Sequence, residues 1–168
     1  SAASDVYKRQ RQDQVPDLFE GSAPIGNLRS ELAERWGVGR NVMVVGGGGD
    51  NAAAACGVGA LREGDAFVSL GTSGVLLAAK DSFAPMPASA VHTFCHAVPN
   101  RWYQMGVILA ATDSLNWLSQ ILDADAAELA GIVGTSINGP NNMQFLPYLS
   151  GERTPHNDSA IRGAMLNI

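Results

Sequence analysis

The chain has 168 residues, sixteen acidic and eleven basic side chains, and a formal net charge of −5. That balance argues against a nucleic-acid binder, which needs a basic stripe, and a 46% hydrophobic share excludes wholesale disorder. The longest apolar run, residues 107–111, is far too short to cross a bilayer, and charged residues make up only 16% of a chain that reads as an interior piece of something larger.

Residues 1–10 (SAASDVYKRQ) lack the apolar core of a secretory signal. They resemble a sequencing-library adaptor read in frame and are set aside from fold reasoning. Residues 28–36 (LRSELAERW) carry helical spacing and are followed by the stop signals Gly37 and Gly39. Residues 42–45 (VMVV) fit a short buried strand. Gly46 to Gly49 break that strand, and Asp50 opens a small-residue helix suited to close packing on a sheet. Residues 67–70 and 75–79 flank the turn GTSG and predict a hairpin. Residues 91–98 and 102–109 bracket PNR and predict a second one. Residues 110–122 predict a helix with Leu115, Leu118 and Leu122 on one face, and residues 125–133 a weaker helix. Residues 143–149 read as a strand entering the polar loop SGERTPHNDS, and the closing RGAMLNI stops inside a strand-like run.

Several groups have chemistry open to them. Four glycines before Asp50 let another backbone or a ligand approach closely. Asp50 itself reads either as a helix N-cap or as a carboxylate presented at a helix start, where the exposed amides favour its charge. Gly47, Gly49 and Ala52 also match a dinucleotide fingerprint, but no acid follows about 20 residues on, as that site requires. The SLGTSG turn reads either as a plain hairpin turn or as a phosphate-binding loop of backbone amides and hydroxyls. His92, Cys95 and His96 suggest metal ligands, yet on a strand Cys95 points away from the two histidines and no second cluster completes a set. Trp36, Trp102 and Trp117 have no interleaved basic residues and are expected in the core. The 145–158 loop is either a binding loop at a sheet edge or a solvated connection. Two cysteines, Cys56 and Cys95, make no disulfide framework and suit a reducing, cytoplasmic setting.

Four segments stand in order: GGGGDNAAAACGVG at 46–59, VSLGTSGV at 68–75, SAVHTFCHAVPNRW at 89–102 and FLPYLSGERTPHND at 145–158. Together they resemble the FGGY carbohydrate kinases, from about residue 15 to residue 168. The resemblance implies an α/β, actin-like ATPase fold, in which two ribonuclease H-like domains close around ATP and a sugar. It places this chain across the junction of those domains. Residues 11–63 would end the first and residues 64–168 would begin a truncated second, with the boundary near 63–65.

By the same resemblance Asp50 is the general base, Asn51 touches the sugar, and Gly71 and Thr72 contact ATP phosphates. Mg²⁺ is implied as well, held by phosphate oxygens, water and acids outside this chain. The reaction implied is transfer from ATP to D-xylulose, in a cytoplasmic protein expected to be a homodimer at full length. The alternatives are another sugar or polyol kinase of the family, or a non-catalytic truncated product. The family's Asp-x-Gly-Thr phosphate loop and its adenine loop are missing, so the segment alone is expected to be inactive. Asn167 stands where the family usually has glycine.

Overall fold

A computed structural model of the chain describes residues 12–136, 139 and 141–168. The adaptor-like residues 1–10 lie outside them. Strand β1 (Pro24–Asn27) pairs antiparallel with β2 (Met43–Val45), and helix α1 (Ser30–Trp36) bridges the two. Gly37 ends α1 in the left-handed conformation, donating its N–H to Ala33 and Glu34 carbonyls, as a glycine after a helix does at no steric cost. The 42–45 run does form a strand, but not a buried one. Met43, Val44 and Val45 are 60%, 37% and 45% exposed, because a two-stranded ribbon has no second layer over it here. Trp36, expected in the core, also stays exposed on α1.

Helix α2 (Asp50–Val58) leads into a four-stranded antiparallel sheet of β3 (Ala66–Leu70), β4 (Gly74–Lys80), β5 (His92–Cys95) and β6 (Trp102–Ile108), in the order β3-β4-β6-β5. Both predicted hairpins are present, β3–β4 and β5–β6. Alternation along the strands decides which face is covered. Phe67, Leu77 and Met105 stand opposite one another across three strands, and Ala79 stands opposite Tyr103. Ala52, Ala55 and Ala60 pack on Leu77 and Tyr103 to form the core. Alanine on the inner side of α2 lets the helix lie close to the sheet, and Leu77 is wholly buried. On the other face Val68, Leu70 and Leu76 remain exposed.

Helix α3 (Thr112–Leu122) follows β6 directly and packs with α4 (Ala126–Ile132). Asp125 caps α4, its carboxylate accepting from the Ala127 and Glu128 amides. Trp117 of α3 stacks on Phe145 of β7 (Gln144–Leu146), which pairs with β8 (Ala164–Leu166). The predicted 143–149 strand is therefore shorter than its apolar run, and the closing run is a strand as read.

Candidate functional site

The glycine run after β2 serves the chain's own packing. A Cβ on Gly46 would lie 2.4 Å from the Glu20 carbonyl oxygen, and one on Gly48 would lie 3.0 Å from the Ala97 Cβ. Gly47 has φ +74°, a conformation that side chains disfavour. Of the run's four glycines, Gly46 is required by a neighbouring backbone, Gly48 by the Ala97 side chain and Gly47 by its left-handed conformation. The fourth, Gly49, is the N-cap of α2 and has nothing within 4 Å of its Cβ position.

Asp50 is therefore the first helical residue and not the cap. Its Oδ1 accepts from the Asn51 backbone N–H at 2.7 Å and from the Asn51 side-chain amide at 3.2 Å. The two residues form one polar unit on the exposed start of α2. Oδ2 has no partner among the described residues. Tyr103 packs against Ala52 and Ala55 of the same helix. Burial, then the Asp50 carboxylate, then Cys95 push the Tyr103 hydroxyl above its ordinary value of 10.0. The dinucleotide fingerprint fails on topology. β2 pairs antiparallel with β1, and the strand after α2 joins a different sheet, so α2 joins no parallel βαβ unit among the described residues.

Gly71, Thr72 and Ser73 form the tip of the β3–β4 hairpin. Gly71 donates its N–H to the Ser73 carbonyl at 2.9 Å. The carbonyls of Gly71 and Thr72 point into the N-terminus of α3. There the Ala111 N–H donates to Thr72 at 2.8 Å, and the Thr112 N–H and hydroxyl donate to Gly71 at 3.0 and 2.7 Å. The helix start thus uses its free donors to fix the turn. The amides of Thr72 and Ser73 and the Thr72 hydroxyl have no partner among the described residues. Those groups, with the Ser73 hydroxyl, which likewise has no partner among the described residues, are what the turn offers an anion. Gly71 contributes by lacking a side chain. No hydrogen bond joins the Asp50–Asn51 unit to the Gly71–Thr72 turn among the described residues; both belong to the assembly of α2 on the β3–β4 sheet.

His96 takes a structural place, while His92 stacks on Phe94 and its buried Nε2 has no hydrogen-bond partner among the described residues. His96 is 4% exposed, accepting the Val98 N–H on Nδ1 and sitting 3.1 Å from the Ala60 carbonyl through Nε2, so Nε2 carries the proton. Among the described residues no group of three or more His, Cys, Asp or Glu is placed to hold a metal.

Glu152, within the 145–158 loop, was not visible as a special residue in the sequence. It is 3% exposed, and its Oε1 accepts from the Leu109 N–H at 3.0 Å and the Arg153 N–H at 2.7 Å. A lone glutamate in a polar stretch carries no sequence signal of burial. The loop is not a free solvated connection, because Glu152 and Thr154 bond it to the end of β6.

Comparison with known proteins gives this geometry a family. Residues 66–168 match the model of the C-terminal domain of the FGGY family of carbohydrate kinases. The chain is 45% identical over 168 residues to a xylulose kinase of Klebsiella pneumoniae, covering 99% of this chain and 34% of that protein. It is 44% identical over 158 residues to the xylulose kinase of Escherichia coli K12, covering 94% of this chain and 32% of that protein. A solved structure described as a xyloylose kinase from Brucella ovis superposes with a TM-score of 0.95 at 50% identity, over all of this chain and 35% of the other. The chain thus spans about a third of the length of the curated relatives it matches. Its fold is the α/β, actin-like and ribonuclease H-like fold of these sugar kinases. With more than half its length matched, the chain belongs to the FGGY family of carbohydrate kinases.

Proposed function

We propose that this segment belongs to a complete kinase that transfers the γ-phosphoryl group of ATP to D-xylulose, giving D-xylulose 5-phosphate and ADP. The observation that carries the reading is the Asp50–Asn51 unit. One carboxylate oxygen is held by Asn51, and the other is open on the exposed start of α2. In-line phosphoryl transfer asks little of a protein beyond positioning and a proton acceptor. The sugar hydroxyl oxygen bonds to the γ-phosphorus, the bond from that phosphorus to the β-phosphate oxygen breaks, and the hydroxyl proton passes to the Asp50 carboxylate. Asn51 keeps that carboxylate oriented and contacts the sugar. Thr72, with its free amide and hydroxyl, contacts ATP phosphates, and Gly71 leaves them room.

The rest of the reading concerns the complete protein. The domain boundary lies near residues 63–65, supported by the family match beginning at residue 66. Closure of two domains brings Asp50 and the turn to the reactants and excludes water. Mg²⁺ is carried on ATP phosphates and by parts of the protein outside this chain. A cytoplasmic homodimer completes the proposal; among the described residues no helix is long and apolar enough to cross a membrane. The test is a substrate panel on the complete kinase encoded by the reading frame that carries this segment. D-xylulose should give the highest kcat/KM among ketoses, aldoses and polyols. A higher value for another sugar or polyol would overturn the substrate, and no ATP-dependent turnover with any of them would overturn the reaction.

A further inference from the structure

We propose that Glu152 is a positioning residue that sets the ATP-phosphate turn through the end of β6. The inference rests on the reading of Gly71 and Thr72 as that turn. Glu152 sits in a loop closed on itself: its N–H donates to the Asp158 carbonyl at 2.8 Å, and the Asp158 N–H returns the bond at 2.9 Å. Gly151 beside it has φ +87°, and a Cβ there would lie 2.9 Å from Ser159 backbone atoms. From this closed loop two side chains reach β6. Thr154 Oγ1 accepts the Val107 N–H at 3.0 Å and donates to the Ala90 carbonyl at 3.1 Å. Glu152 Oε1 accepts the Leu109 N–H at 3.0 Å. Val107 and Leu109 are therefore tied from outside the sheet, where β5 no longer accompanies β6.

Two and three residues beyond Leu109, the amides of Ala111 and Thr112 hold the carbonyls of Thr72 and Gly71. The route from the carboxylate to the turn is thus one side-chain bond, a two-residue link and a pair of backbone bonds. The second oxygen, Oε2, is sealed from solvent and has no hydrogen-bond partner among the described residues. An unpaired buried acceptor is costly, and a purely structural tie to two amides needs only one carbonyl oxygen. The side chain is kept in place by what its other oxygen holds.

The experiment measures KM for ATP and KM for the sugar in the complete kinase and in Glu152→Ala, Glu152→Gln and Glu152→Asp. Loss of a carboxylate holding two backbone amides should raise KM for ATP by about tenfold or more in Glu152→Ala, with KM for the sugar held within about twofold. Glu152→Gln keeps the accepting oxygen and should restore KM for ATP to within about threefold of wild type. Glu152→Asp keeps the charge but withdraws it by one carbon; it should show the same ATP-selective rise, and it carries the test where the alanine variant does not fold. An unchanged KM for ATP in a folded Glu152→Ala or Glu152→Asp protein overturns the proposal. So does an equal rise in both KM values, or a glutamine variant no better than alanine. Gly71→Val separates the two readings. If it raises KM for ATP while the Glu152 variants do not, only this inference is lost. If it leaves KM for ATP unchanged, the turn's assignment is lost.

Discussion

Gly71→Val separates a phosphate-binding turn from an ordinary hairpin tip. In the free protein a Cβ at Gly71 would meet only the Ser73 carbonyl oxygen, at 3.8 Å, which is ordinary contact. Gly71 is not among the glycines with positive φ, so valine meets no backbone strain there. Replacing glycine at such a position removes freedom mainly from the unfolded chain, worth about 0.4–1 kcal/mol for alanine. The melting temperature should therefore hold or rise slightly. ATP meets a different surface. If the turn binds phosphate as proposed, a phosphate oxygen bonded to the Thr72 or Ser73 amide would meet the valine side chain. Loss of one hydrogen bond to a charged group is worth about 1.5–3 kcal/mol, or roughly 10- to 150-fold in affinity. Steady-state kinetics of the complete kinase, following ADP release, should show KM for ATP rising by that factor with KM for the sugar little changed. A KM for ATP within twofold of wild type, with an unaltered melting temperature, would refute the reasoning.

The core and its buried hydroxyl give two further expectations. Leu77→Ala removes a wholly buried side chain between α2 and the sheet, and denaturant unfolding of the complete kinase should show a loss of about 2–5 kcal/mol; a loss below 1 kcal/mol would mean that α2 is not seated on Leu77. Tyr103 has its hydroxyl held above the ordinary 10.0, so the fold favours its neutral form: that stability is full below pH 10 and is lost as pH rises through the higher folded value. Unfolding on either side of pH 10 should show a smaller alkaline loss in Tyr103→Phe than in wild type, and equal losses would contradict the stated cause.

Local signals were legible where one residue decides a conformation. Gly37 marked the end of α1, Asp125 the start of α4, and the small residues of the 71–73 turn marked the first hairpin. Signals that depend on distant partners were not. β1 contains Pro24 and Gly26 and lacks a strand-like pattern; it exists because β2 pairs with it. The apolar character of β2 predicted burial, but burial needs a covering layer, and none lies over it in the described residues. The glycines before Asp50 left ligand and backbone equally open, and only the positions of Glu20 and Ala97 assign Gly46 and Gly48 to packing, as the φ of Gly47 assigns it to the turn of the chain. Asp50 was legible as a helix-start acid, yet the difference between cap and first helical residue is one residue of register. Glu152 was illegible, since its burial comes from a loop folding back onto β6 more than forty residues earlier in the chain.

The most direct test of the central claim is turnover of purified complete kinase carrying Asp50→Asn, with ATP and D-xylulose, measured beside its melting temperature. Asparagine keeps an oxygen to accept from Asn51 and keeps the shape of the helix start, but it cannot take the proton. Stability should change only by the loss of one exposed charge at a helix N-terminus, about 0.3–1 kcal/mol. D-xylulose 5-phosphate formation should fall by about 10²–10⁴-fold. Turnover within about threefold of wild type would contradict the account and leave Asp50 as a structural acid at the start of α2.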